Sequence, residues 1–99
     1  MKFKIAESVN GTCLQGYITA GYDELVEKFG PPLYGPDFQG DKVTCEWCLE
    51  FEDGTVATIY DWKVRSTPMY NRYNWHIGGN SVDAVNRVHD TFFGMGDVE

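Results

Sequence analysis

With 99 residues the chain is the size of one domain, able to bury about 60 to 65% of its unfolded surface but too short for two independent cores. Apolar residues make up 42% and six Phe, six Tyr and three Trp supply bulky core material, which excludes a disordered chain. Eight basic against fifteen acidic side chains give a net charge of −7, which disfavours direct nucleic-acid binding, and no run approaches the roughly 20 apolar residues of a membrane span.

Phe3 to Ile5 and Cys13 to Ile18 have β character. Asn10-Gly11 between them suits a type I′ turn, so an N-terminal hairpin is expected. From Tyr22 the period changes. Tyr22, Leu25, Val26 and Phe29 form one stripe at i, i+3, i+4 and i+7, with Asp23 and Glu24 in the first turn, which predicts a short helix. Gly30 and Pro31-Pro32 stop it. Leu33 to Asp41 reads as an exposed loop.

Between Lys42 and Trp62 lies the strongest local signal. Val43, Cys45, Trp47, Leu49 and Phe51 alternate with Thr44, Glu46, Cys48 and Glu50, then Glu52-Asp53-Gly54 turns the chain into the β-rich stretch Thr55 to Trp62. Trp75-His76-Ile77 predicts a closing strand ended by Gly78-Gly79. Asn80 or Ser81 then caps a helix whose buried stripe is Val82, Val85, Val88 and Phe92. The order strand, strand, helix, strand, strand, strand, helix predicts a single α+β domain over residues 1–99: an antiparallel sheet of about four to five strands with both helices on one face.

Cys45-Glu46-Trp47-Cys48 has the CxxC spacing of metal and redox sites. On a strand, however, residues three apart face opposite ways, so Cys45 points to the core and Cys48 to solvent, and the sulfurs do not converge. No metal or cofactor is expected. Cys13, Cys45 and Cys48 form an odd set, and no apolar stretch resembles a signal-peptide core, so a reducing, cytoplasmic setting is expected. His76 and His89 are the only histidines and lack a nucleophile elbow, P-loop or HExxH beside them, so no catalytic residue is assigned.

Two binding candidates remain. The first is an acidic face: Glu46 and Glu50 on the outer side of the hairpin, with Glu52 and Asp53 at its turn. Same-face carboxylates spaced by the pleat at about 7 Å imitate the periodic charge of a phosphate backbone. The second is a nucleotide-sized site using Arg65, Tyr70, Arg72, Tyr73, Trp75, His76, Gly78, Gly79, Asn80 and Ser81, where aromatics stack a base and a helix start receives an anion.

Three segments, Leu14 to Thr19 (LQGYIT), Glu46 to Lys63 (EWCLEFEDGTVATIYDWK) and Trp75 to Gly79 (WHIGG), resemble a group of small uncharacterised bacteriophage proteins. The resemblance carries no catalytic residue, and Cys45 and Cys48 stand outside its recurring pattern. It implies a small acidic protein that binds and blocks a host machine. The expected function is therefore inhibition of a host defence nuclease, of anti-CRISPR or anti-restriction type, by occupying its basic nucleic-acid groove in the host cytoplasm. A nucleotide sponge is the second reading and a small hydrolase using His76 or His89 the third. The expected partner is a protein, with neither direct nucleic-acid nor membrane binding, and an edge strand able to pair across a two-fold axis makes a homodimer one expected assembly.

Overall fold

The computed structural model describes residues 2–6, 12–33, 43–64, 67–68 and 71–94. Its elements run β1 (Phe3–Ile5), β2 (Cys13–Ala20), α1 (Tyr22–Phe29), β3 (Glu46–Phe51), β4 (Val56–Tyr60), β5 (Tyr73–Gly79) and α2 (Asp83–Phe93). The strands form one antiparallel sheet in the order β1-β3-β4-β5-β2. This is the expected α+β arrangement, with the helices against one face.

The N-terminal hairpin does not form. β1 pairs with β3 at one edge of the sheet and β2 with β5 at the other, so the two first strands never touch. Long-range packing outweighs the local turn signal here: Phe3 lies against the rings of Phe29 and Phe51, at 5.6 and 5.8 Å between centroids. Asn10 and Gly11 lie outside the described residues, as does the expected loop beyond Leu33.

Alternation fixes which side of each strand meets the helices. Trp47, Leu49 and Phe51 of β3, Ala57 and Ile59 of β4, Trp75 and Ile77 of β5 and Ile18 and Ala20 of β2 form the core with Leu25, Phe29, Ala84, Val88 and Phe92 of the helices. Trp47 and Trp75 meet edge to face at 5.5 Å, an arrangement contributing about 0.5–1.5 kcal/mol beyond area burial. Buried indoles also need acceptors. Trp47 Nε1 donates to the Gly30 carbonyl (2.8 Å), fastening the C-terminal end of α1 to the sheet, and Trp75 Nε1 donates to the Ala20 carbonyl (3.0 Å) at the end of β2.

At the start of α1, Glu24 Oε1 accepts from the Gly21 N–H and from Arg72, whose other nitrogen donates to the Thr19 carbonyl. The Tyr17 carbonyl lies 2.9 Å from His89 Nε2. Two carbonyls of edge strand β2 are thus held by side chains rather than by a further strand.

Gly78 and Gly79 are the last two residues of β5 rather than lying beyond it, each where something approaches closely. A Cβ on Gly79 would come 2.4 Å from Ala84 Cβ of α2, and one on Gly78, on the opposite face, 2.6 Å from Thr58 Oγ1. Helix α2 begins later than expected. The Ser81 hydroxyl accepts the Asp83 N–H at 3.2 Å, while Val82 remains 59% exposed and Ala84 takes its place in the buried stripe.

β3 starts at Glu46 rather than Val43 because the amides before it have another partner. Asp61 is fully buried, and its Oδ1 accepts from the N–H groups of Thr44 (2.7 Å) and Cys45 (3.2 Å) while Oδ2 accepts from the Thr44 hydroxyl. Asp61 directly follows β4, and its own N–H donates to the Cys45 carbonyl at 3.3 Å. It is a latch between the two strand ends, built by local side-chain competition for backbone donors.

Candidate functional site

The face opposite the helices is the side on which the sheet presents unusual chemistry. Strand register aligns one residue from each of four strands: Glu46 opposite Tyr60, Tyr60 opposite His76, and His76 opposite Tyr17. The rings touch. His76 stacks on Tyr60 at 5.3 Å and 27°, and meets Tyr17 edge-on at 5.0 Å. Trp62, two residues beyond Tyr60, extends the cluster at 6.2 Å from Tyr60 and 6.3 Å from His76. Among the described residues no helix packs on this side, and Leu14, Tyr17 and Trp62 stay 46, 44 and 40% exposed.

Beside the row is a hollow of about 210 Å³ lined by Thr12, Cys13, Val43, Glu46, Thr58, Tyr60, Trp62 and Gly78. The absent side chain of Gly78 leaves its floor low, since a Cβ there would also lie 3.4 Å from Tyr60 Cε1. Glu46 contributes a carboxylate whose one hydrogen bond among the described residues is a long one from the Cys48 thiol, at 3.9 Å. Burial pushes the Glu46 pKa up and the nearby Asp61 charge adds to this, while the thiol contact opposes it. No cation among the described residues compensates it: Lys4 pairs with Glu50, Arg72 with Glu24 and Arg87 with Asp53.

The neighbouring groups are held neutral. Burial raises the Tyr60 hydroxyl and lowers His76, partly offset at His76 by Asp61, so imidazole rather than imidazolium is favoured. His76 Nδ1 is buried and has no hydrogen-bond partner. Cys48 is pushed up to about 12, by burial first and then by the Glu46 carboxylate, so at neutral pH it is a thiol and a poor nucleophile. Cys48 was expected to face solvent, yet it is only 3% exposed. Its same-face neighbours Glu46 and Glu50 are longer, and Thr58 abuts it across the ladder. Cys45 lies in the core on the opposite side, so the two sulfurs do not converge.

The four expected interface carboxylates separate into three environments. Glu46 and Glu50 share the helix-free face, but Cys48 stands between them. Their strand positions are therefore about 13 Å apart, two pleats rather than the one that a 7 Å row requires. Glu50 lies 3.9 Å from Lys4 in an exposed pair. Asp53 is turned toward the helix layer, where it accepts from the Thr55 N–H (3.0 Å) and from Arg87 of α2 (2.9 Å). Those contacts, Thr55 first, hold its carboxyl down at about 2. Glu52 remains exposed at the turn.

The nucleotide set is also dispersed. Arg65 and Tyr70 lie outside the described residues, Trp75 is wholly buried, and Tyr73 packs against the core while its hydroxyl accepts the Trp62 N–H. Arg72 is engaged by Glu24 and Thr19 at one end of β5. Asn80 and Ser81 stand at the other end, roughly 25 Å along the strand, around a hollow of about 240 Å³ shared with Asp53 to Val56. Of the described members of the set only His76 and Gly78 contribute to the helix-free cluster and its hollow. His89 lies on α2 and contributes to neither hollow.

Tyr17, Tyr60 and Trp62 carry this face, and sequence reasoning did not single them out for it. The phase of the alternation held a clue, since Thr58, Tyr60 and Trp62 are out of step with the core residues Ala57 and Ile59. Among the described residues no three His, Cys, Asp or Glu side chains form a metal-ligand group, and no helix is long and apolar enough to cross a membrane. No family model, no curated protein and no solved structure matches the chain.

Proposed function

We propose that the protein acts by stoichiometric binding, inhibiting a host defence nuclease of anti-CRISPR or anti-restriction type by occupying a basic, nucleic-acid-binding surface in the host cytoplasm. The observation that carries this reading is the composition of the helix-free face. Exposed Tyr17 and Trp62 flank His76, exposed Leu14 lies on the same side, and Glu46 and Glu50 stand on that side of β3. Large aromatics dominate the energetics of protein interfaces, and carboxylates beside them select a partner of opposite charge. The net charge of −7 adds long-range attraction to such a partner and repels nucleic acid itself. The resemblance to bacteriophage proteins points the same way.

The carboxylates act here as a rim around aromatic anchors and not as a regular phosphate-like row, because only Glu46 and Glu50 of the four share this face. The test is a double charge reversal, Glu46→Lys with Glu50→Lys. The expected result is a folded protein whose circular dichroism is unchanged and whose inhibition of the target nuclease is lost. In the parent, binding weakens steeply between low and high salt. Full inhibition by the folded double variant would overturn the assignment of this face.

A further inference from the structure

The hollow beside Glu46 has a chemistry more specific than that of the surrounding face. A carboxylate without a cationic partner among the described residues is half-buried at one wall, an aromatic ring stands directly opposite it in the strand register, a second ring adjoins the first, and the floor is a glycine. Taking a carboxylate partly out of water is unfavourable unless a counter-charge arrives, and the Lys, Arg and His side chains described around it do not supply one. Aromatic faces add attraction for a flat cation, and Trp62 already has the Lys63 ammonium at 6.0 Å from its centroid.

We infer that this pocket receives a guanidinium group, supplied by an arginine side chain of the partner, with Glu46 as its counter-ion and Tyr60 and Trp62 as its walls. The inference deepens the binding reading above and rests on it for the source of the arginine. A guanidinium suits the site better than an ammonium, because its planar fork can stack on a ring while donating to a carboxylate, and it is the more easily desolvated cation. Thr58 offers a hydroxyl acceptor at the floor. A hollow of about 210 Å³ is large enough for one such side chain.

The test needs no partner. Nuclear magnetic resonance spectra of the full chain would be recorded while N-acetyl-arginine methylamide is added, and again with its neutral citrulline counterpart. The expected result is that the arginine probe shifts the amides of Thr58 and Gly78 and the Trp62 indole N–H, and lowers the Glu46 pKa. The citrulline probe should bind about tenfold more weakly, and Glu46→Gln should weaken the arginine probe by about the same factor. Trp62→Leu, which leaves the core untouched, should weaken it several-fold.

Equal binding of the two probes, an unchanged response in folded Glu46→Gln, or shifts confined to other parts of the sheet would overturn the assignment. Probe failure with a salt-sensitive inhibitory complex intact removes the pocket and leaves the binding reading. Probe binding without any such complex removes the partner and leaves the pocket.

Discussion

On the helix-covered face of the sheet Trp47, Leu49, Ile59, Trp75 and Ile77 are wholly buried, and each indole nitrogen has a backbone acceptor. On the opposite face, residues of the same strands leave Tyr17 and Trp62 more than a third exposed, His76 Nδ1 without a partner and Glu46 without a cation among the described residues. The same pleat produces both surfaces. One has its interactions completed within the fold, whereas the other holds aromatic area and charge in arrangements that a second molecule can complete. Incomplete satisfaction of that kind costs stability and is tolerated where it serves binding.

The sharpest way to break this contrast is to remove the same kind of group from each side. Trp47→Ala should lower the unfolding free energy by about 3–5 kcal/mol in urea titrations, since it opens a cavity and orphans the Gly30 carbonyl at the end of α1. A loss below about 1 kcal/mol would mean that the covered face is not the main source of stability.

Carboxylate titration separates the two sides by sign. The Glu46 pKa is raised above 4.5, so its contribution favours the folded state below pH 4.5 and is lost as pH rises through the folded-state value. At pH 7 the ionised group is a burden. Glu46→Gln should therefore raise Tm at pH 7 by a few degrees, and the gain should vanish below pH 4.5. Asp53, held at about 2 against an ordinary 3.8, behaves oppositely: its contribution is present above pH 3.8 and is lost as pH falls through about 2. Asp53→Asn should lower Tm slightly at pH 7, with the deficit closing toward pH 2. Thermal melts across pH check both signs, and a destabilised Glu46→Gln at pH 7 would contradict the strained-carboxylate description.

The smallest expected stability effect lies in the aromatic row. Tyr17→Ala removes an exposed ring and its edge contact with His76, and should change unfolding free energy by no more than about 1 kcal/mol. Its effect on partner affinity should be larger, about tenfold or more, as measured by calorimetry against the purified complex partner. A large loss of stability with affinity retained would invert the proposed division between the faces.

Local chemistry made several parts of this fold legible. The stripe from Tyr22 to Phe29 and the Gly30-Pro31-Pro32 stop define α1, and alternation around Asp53-Gly54 defines the β3–β4 hairpin, because each depends on residues within a few positions of one another. The opposite orientations of Cys45 and Cys48 follow from the same periodicity. Glu46 and Glu50 were legible as carboxylates on one strand side, and His76 as a residue of a separate β-like segment.

Their relation to one another was not recognisable, because a row across a sheet is set by register between strands that are distant in sequence. Glu46, Tyr60, His76 and Tyr17 become neighbours only when β2 pairs with β5 rather than β1, and the Asn10-Gly11 turn signal suggested the other pairing. Cys48 lost its expected exposure in part for a similar reason, since Thr58 on the adjoining strand abuts it while Glu46 and Glu50 flank it on its own. The sequence by itself determined the elements, the apolar side of each and the acidic balance, since these follow from periodicity and composition. Only the tertiary structure decided which strands adjoin, where Asp61 latches them, and that a half-buried carboxylate meets an aromatic wall over a glycine floor, since those depend on long-range contacts with no local code.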